Sequence, residues 1–190
     1  MRLNDPLITS FSYNDQEYGV DLSFDTVLNA FDVLEDKRLL DHEKAEICLE
    51  LLLDETFQGN EAIELWNYVF KEFIEIEQKK PIERDLEGNI MPSRDEDEGN
   101  EKRFIDLEKD AEHIYSSFRQ AYGINLFEQQ GKLHWKEFQS LLNGLPSDTI
   151  IQRIIQIRMW EPSKGESTEY KEEMKKLQRI HAIDDLEEVE

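Results

Sequence analysis

The side chains that could do chemistry in this sequence are mostly carboxylates, and their spacing builds no recognisable catalytic or metal site. The chain holds 44 Asp and Glu residues, four histidines and a single cysteine, Cys48. His42 and Glu46 lie one helical turn apart, but a metal site needs three or more converging ligands, and neither HExxH nor CxxC occurs. We therefore expect a protein that is not an enzyme and that carries no metal or organic cofactor.

The acidic block at residues 95–98 superficially resembles a calcium-binding loop. Counted from Asp95, an EF-hand would need Gly at the sixth position and a bidentate Glu at the twelfth. Those positions hold Asn100 and Asp106. The block is therefore predicted to be a solvated run of charge.

The net charge of −22 narrows the classes of partner. Binding to nucleic-acid phosphates or anionic lipids normally requires clustered Lys and Arg, so we expect neither nucleic acid nor membrane as a partner. No apolar run approaches the roughly 20 residues of a membrane span, and the N-terminus lacks the pattern of a secretory signal. With one cysteine and no partner for an internal disulfide, the sequence predicts a reducing, cytoplasmic location.

The N-terminal part is predicted to be a β-hairpin followed by three short helices. Residues 8–13 and 17–22 are alternating, β-prone runs separated by the polar tripeptide Asn14-Asp15-Gln16. Helical spacing of apolar residues then recurs in three segments, beginning after Ser23, at Asp41 and after Gly59-Asn60. We assign these elements to one domain, residues 1–78, which holds 19 acidic and 5 basic residues.

Composition changes sharply at residues 79–103, which contain two Pro, two Gly and the acidic block but few large apolar side chains. Such a stretch buries too little surface to offset its ordering entropy, so it is predicted to be a flexible acidic linker. Helical periodicity resumes in residues 104–190, a predicted C-terminal helical domain. The predicted fold class is therefore mainly α, with two domains joined by a linker.

The last helix, at about residues 167–183, has an unusually thin apolar stripe. The stripe consists of Tyr170, Met174, Leu177 and His181. A helix that is polar nearly all round bridges to another element or packs against a partner. The stripe is therefore a candidate contact for a partner or for self-assembly, and a frayed appendage is the alternative.

The order of short motifs resembles a tail-assembly family of long-tailed phages of Gram-positive bacteria, the "gene product fifteen" family. The resemblance covers nearly the whole chain and is closer in the second half. It rests on these runs: Asp5-Pro6-Leu7, Tyr18-Gly19-Val20-Asp21, Asp110-Ala111-Glu112-His113-Ile114-Tyr115, Tyr122-Gly123-Ile124-Asn125-Leu126, Leu133-His134-Trp135-Lys136, Ile157-Arg158 and Met174-Lys175-Lys176-Leu177.

The resemblance implies a tail assembly chaperone in the host bacterial cytoplasm. Its partner would be the phage tape measure protein, whose helical apolar stripes need covering before the tail tube surrounds them. The resemblance also implies self-association through head-to-tail contacts, and it implies no catalytic residue.

Two other functions stay open at this point. An acidic inhibitor that mimics DNA would spread carboxylates evenly over a folded surface, whereas here residues 1–78 carry −14 of the total −22. An unrecognised hydrolase would need a polar pocket, which only the tertiary structure can reveal.

Overall fold

The computed structural model describes residues 4–75 and 104–183, and this part of the chain is mainly helical with one N-terminal β-hairpin. The predicted linker, 79–103, lies outside the described residues. The described elements are β1 (Ser10–Tyr13), β2 (Gln16–Gly19), α1 (Phe24–Glu35), α2 (Asp41–Leu53), α3 (Gly59–Val69), α4 (Ala111–Tyr122), α5 (Trp135–Asn143), α6 (Ile150–Met159) and α7 (Thr168–Ile180). A π-helical turn, Phe70–Ile74, extends α3, and a short 3-10 turn, Leu126–Gln129, precedes α5.

The predicted hairpin is confirmed, with a tighter loop and a shorter second strand. Asn14 and Asp15 alone form the loop, with φ of 50° and 62°. Both φ values are positive, as a two-residue type I′ turn requires, and Asn and Asp are the non-glycine residues that tolerate this region best. The third predicted loop residue, Gln16, already pairs with Tyr13. The second strand ends at Gly19 and not at Leu22: Val20 still donates to the carbonyl of Thr9, but Asp21 and Leu22 bond to Leu52 and Trp135.

The hairpin lies on the end of the third helix, which supplies the surface that an isolated hairpin lacks. Phe11 and Tyr18 face each other across the strands and stack with ring centroids 5.6 Å apart. Phe11 also packs on Phe73 of the π-helical turn, at 5.1 Å. The N–H of Asp21 donates to the carbonyl of Leu52 (2.8 Å), which joins the segment after the hairpin to the end of α2.

The first three helices pack as successive neighbours around small and branched side chains. Their fully buried residues include Val27 and Ala30 of α1, Cys48 and Leu49 of α2, and Ala62, Leu65 and Val69 of α3. Lys44 donates from Nζ to the carbonyl of Leu34 (2.7 Å), near the end of α1, where carbonyls lack partners within the helix.

The C-terminal helices α4, α5 and α6 form the second layer of packing. Ser117 of α4 is buried, and its Oγ accepts the N–H of Ile151 (3.2 Å) at the start of α6. The side chain of α4 thus accepts from a first-turn N–H of α6, which has no acceptor within its own helix. Helix α4 begins at Ala111 and helix α6 at Ile150.

The described parts of the two predicted domains share one hydrophobic core. Phe24 of α1 stacks on Phe138 of α5 at 5.1 Å, and Phe31 meets Trp135 edge-on at 5.6 Å. The indole Nε1–H of Trp135 donates to the carbonyl of Ile74 (3.0 Å). Two backbone bonds, between Leu22 and Trp135 and between Phe24 and Leu133, add a short bridge. The division of the chain at residues 79–103 remains a prediction.

Candidate functional site

Helix α7 carries the predicted contact residues and is weakly buried along its whole length. Ser167 caps its start, accepting the N–H of Tyr170 on Oγ (3.1 Å), and none of its residues is fully buried. Tyr170 is 44% exposed and meets Trp160 edge-on, with ring centroids 6.1 Å apart. Met174, Leu177 and His181 are half-buried. The thin stripe therefore gives this helix only a shallow apolar contact with the chain.

Hydrogen bonds connect the last turns of α7 to the end of α6. The side-chain amide of Gln178 donates to the carbonyls of Ile157 (3.0 Å) and Trp160 (2.8 Å). Ile157 lies in the last turn of α6, where its carbonyl also accepts the N–H of Trp160 (3.2 Å), and Trp160 is the residue that caps this helix end. Gln178 lies one residue after Leu177 and four after Met174, so their side of α7 is turned towards α6.

A buried ion pair ties the same region to α4. The Arg158 guanidinium donates to both carboxylate oxygens of Asp110, at 2.6 and 2.8 Å, and the two side chains are only 9% and 3% exposed. Arg158 also donates to the carbonyl of His181 (2.6 Å) and to that of Phe104 (2.9 Å). One guanidinium therefore joins the start of α4, α6, the end of α7 and the segment that precedes α4.

The titration of the two groups around Arg158 follows from this arrangement. Burial by itself would raise the pKa of Asp110, but the hydrogen bonds from Arg158 and Asp106 outweigh it and hold that pKa below 3.8. Burial, together with the nearby Arg158 cation, lowers the pKa of His181 below 6.5. At neutral pH the stripe thus ends in an uncharged imidazole.

A second surface, which the sequence did not predict, is an open apolar groove between α1 and α4. Its volume is about 230 Å³. The lining residues are Phe24, Asp25, Leu28, Asn29, Leu107, Ala111, Ile114, Tyr115, Leu126, Phe127, Gln130 and Phe138. Phe127 is 70% exposed, and its ring is tilted against that of Tyr115, with ring centroids 5.1 Å apart. The sequence analysis did not predict the groove, because its walls come from both predicted domains. The large apolar side chain of Phe127, in the segment after α4, was the one signal of an exposed apolar surface.

The described residues offer little that could support bond chemistry. Within residues 4–75 and 104–183, no three His, Cys, Asp or Glu side chains converge to hold a metal ion. The Cys48 thiol is buried and donates to the carbonyl of Ala30 (3.5 Å), and burial raises its pKa to about 12. A thiol in that state is a poor nucleophile, because the thiolate is the reactive form. In the same part of the chain, no helix is long and apolar enough to cross a membrane.

Comparison with known proteins decides the family. A family model described as "Bacteriophage Gp15 protein" matches residues 3–183, which is almost the whole chain. The chain belongs to the bacteriophage Gp15 family. The resemblance drawn from the short motifs is thereby confirmed at the level of the family, and membership points to a phage structural or assembly protein. No curated protein and no solved structure matches the chain.

Proposed function

We propose that this Gp15-family protein is a phage tail assembly chaperone that works in the host bacterial cytoplasm. It binds the tape measure protein and keeps it soluble during tail morphogenesis, and it catalyses no reaction. Membership of the family over residues 3–183 is the observation that carries the proposal. Accessible apolar surfaces on a strongly acidic chain support it, because such surfaces suit the binding of other proteins.

Two forces act at different ranges in this mechanism. Burial of apolar side chains supplies the short-range attraction between the chaperone and a helical partner. The net charge of −22 steers basic surfaces towards it and raises the rate of encounter. Since salt screens exposed charges over a Debye length of about 8 Å at physiological ionic strength, salt should slow association without abolishing the complex.

The distribution of charge supports self-association in a head-to-tail manner. Residues 1–78 carry a net charge of −14, whereas residues 104–190 carry −6. A contact between two N-terminal parts would bring the most strongly charged parts together, but a contact between an N-terminal and a C-terminal part reduces this repulsion. Such heterologous contacts build rings when the rotation closes and spirals when it does not. Light scattering at rising concentration should therefore give a mass above that of a single chain, and a strict monomer would count against self-association.

Co-purification with the tape measure protein tests the proposed function. We expect Tyr170→Ser, Met174→Ser and Leu177→Ser, introduced together, to weaken binding of the partner or self-assembly. Because α7 has no fully buried residue, circular dichroism should show the remaining helices intact. Leu40→Ser is the matched control, since Leu40 is 61% exposed at the start of α2, far along the chain from α7.

Two outcomes would contradict this assignment. If the wild-type chain fails to retain the tape measure protein, the proposed function is wrong. If the triple variant folds and retains the partner at wild-type levels, α7 is not the contact. Loss of the whole fold would instead place the stripe in the core.

A further inference from the structure

The groove between α1 and α4 has the properties of a binding site for a helix. Its walls are formed by side chains of α1, by Leu107 and α4, and by the 3-10 turn before α5. About 230 Å³ is less than the roughly 300–1,000 Å³ of a typical small-molecule pocket, and the groove is open to solvent. It is therefore suited to receive a few apolar side chains presented by a larger partner.

The most exposed large aromatic side chain of the described residues stands at the groove. Phe127 is 70% exposed, although it follows the buried Leu126 and neighbours the half-buried Tyr115. A phenyl ring left in water forgoes the free energy of burial, and an exposed apolar surface beside an apolar groove marks an interaction site.

Carboxylates flank the apolar floor on both sides. On α1, Asp25 lines the groove, and Asp32 lies one turn beyond Leu28 on the same face. On α4, the exposed Glu112 follows Ala111. No Lys or Arg is among the residues that line the groove. The complementary ligand is therefore apolar along its centre and basic at its flanks.

Within residues 4–75 and 104–183, a second copy of the chain offers no free helix of this kind. Helix α7 has basic residues beside its stripe, but Met174 and Leu177 are turned towards α6. Gln178 and Arg158 hold it there by hydrogen bonds to backbone carbonyls. Docking α7 of another copy would first have to break these contacts.

We propose that the groove between α1 and α4 binds an amphipathic helix of another protein, with its apolar stripe against Leu28, Tyr115 and Phe127 and its Lys or Arg residues beside Asp32 and Glu112. This is the helix-in-groove mode of recognition, in which apolar side chains at i, i+3, i+4 and i+7 anchor the ligand. The inference goes beyond the proposed function, because it assigns a surface and a ligand chemistry whichever protein supplies the helix.

A synthetic peptide of Leu and Lys in an amphipathic helical pattern is a direct probe. It should have about 18 residues, since helices shorter than about 12–15 residues are marginal in water. With a fluorescent label, its binding to the full chain is followed by anisotropy. A scrambled peptide of the same composition carries the same charge without the apolar stripe, and we expect it to bind about tenfold more weakly or less.

Two variants localise the binding. Phe127→Ser should weaken the amphipathic peptide by about tenfold, while Leu40→Ser, at a similarly exposed apolar position outside the groove, should leave it unchanged. Asp32→Lys combined with Glu112→Lys should weaken the Lys peptide and strengthen a matched peptide with Glu in place of Lys. Circular dichroism of each variant checks that it is folded, and Phe127→Leu, which keeps an apolar side chain, should restore most of the binding.

The results separate the groove from the proposed function. Equal binding of the scrambled peptide, or equal loss in Phe127→Ser and Leu40→Ser, would overturn the groove as a site. Retention of the tape measure protein is measured on the same variants. If the peptide binds the groove but the tape measure protein does not bind the wild-type chain, the inference stands and the proposed function falls.

Discussion

At the scale of single residues, His134 shows how a side chain can serve structure and sense pH at once. It is buried at the start of α5, where its Nδ1 accepts the N–H of Lys136 (3.1 Å). The other ring nitrogen, Nε2, lies 3.3 Å from the carbonyl of Ile8. Since Nδ1 is an acceptor, Nε2 must carry the proton and donate to Ile8, so the neutral imidazole joins the start of the hairpin to α5.

This arrangement predicts a loss of stability in mild acid. Burial is the main cause that lowers the pKa of His134 below 6.5, and nearby Glu137 and Asp21 oppose it only in part. Because the unfolded state then binds the proton more readily, stability is fully present above about pH 6.5 and falls as the pH drops towards the lowered pKa. Protonation at Nδ1 would also remove the acceptor for Lys136.

His134→Asn should remove this part of the pH dependence. Asn can still cap the helix through its side-chain oxygen, so we expect a cost of about 1 kcal/mol at pH 7, mainly from the lost bond to Ile8. Urea unfolding between about pH 5 and pH 7 measures the effect. His181 titrates in the same range, so the difference between variant and wild type is the informative quantity. An unchanged slope in the variant would show that His134 is not the group responsible.

At the scale of elements, α6 is completed by its neighbours at both ends. Ser117 of α4 accepts the first free N–H, and Gln178 of α7 donates to the last carbonyls. Arg158 adds the buried pair with Asp110. Helices of this length are marginal alone, so their stability depends on such tertiary contacts.

Breaking the buried pair on one side should be costly. Arg158→Met leaves the Asp110 carboxylate buried without its partner, and we expect a loss of about 3–5 kcal/mol in the free energy of unfolding. Asp110→Asn leaves the buried Arg158 cation without its counter-ion, but the carbonyls of His181 and Phe104 and the new amide oxygen can still accept from the guanidinium, so we expect a smaller loss. The double variant Arg158→Met with Asp110→Leu should recover part of the loss, as apolar replacements of whole buried pairs often do. With the single variant Asp110→Leu added, a double-mutant cycle by urea unfolding gives the coupling, and additive losses would mean that the pair acts as two independent groups.

At the scale of the whole molecule, the aromatic core joins the parts that the sequence divides. Trp135 packs on Phe31 and Phe138 and donates its indole N–H to Ile74. Ile74 is the last residue of the π-helical turn, which closes with an i to i+5 bond from the N–H of Glu75 to the carbonyl of Phe70 (2.8 Å).

The shared core predicts that the two parts depend on each other for a native fold. Fragments 1–78 and 104–190, expressed together, should associate and recover the near-ultraviolet circular dichroism of the intact chain. Each fragment alone would expose Trp135 or the surface that covers it, so we expect loss of the rigid aromatic signal. Trp135→Phe, which keeps most of the apolar contact but removes the N–H, should weaken association of the fragments by roughly 1–3 kcal/mol.

The contrary result is equally clear. If each fragment alone has native aromatic ellipticity and the two do not bind each other, they are independent domains, and the contacts between them are secondary to their folds.

The sequence by itself determined the elements and the family. The polar residues Asn14 and Asp15, which tolerate positive φ, located the hairpin turn, and the helical spacing of apolar residues located the three helices of residues 1–78 and the last helix, α7. Local preferences suffice for these features because each depends on residues a few positions apart. The order of the short motifs was enough to predict the family, because a family is recognised from the order of residues along the chain.

Only the tertiary structure decided what those elements bury and what they leave exposed. Periodicity predicts that Phe24 and Leu28 share a face of α1, but not that Phe138 stacks on Phe24 or that this face lines an open groove. Likewise, the apolar stripe on α7 was visible in the sequence, whereas the hydrogen bonds of Gln178 and Arg158 that hold α7 against α6 were not. These contacts join residues far apart in the chain, and their energies depend on geometry in three dimensions, which local patterns of polarity do not encode.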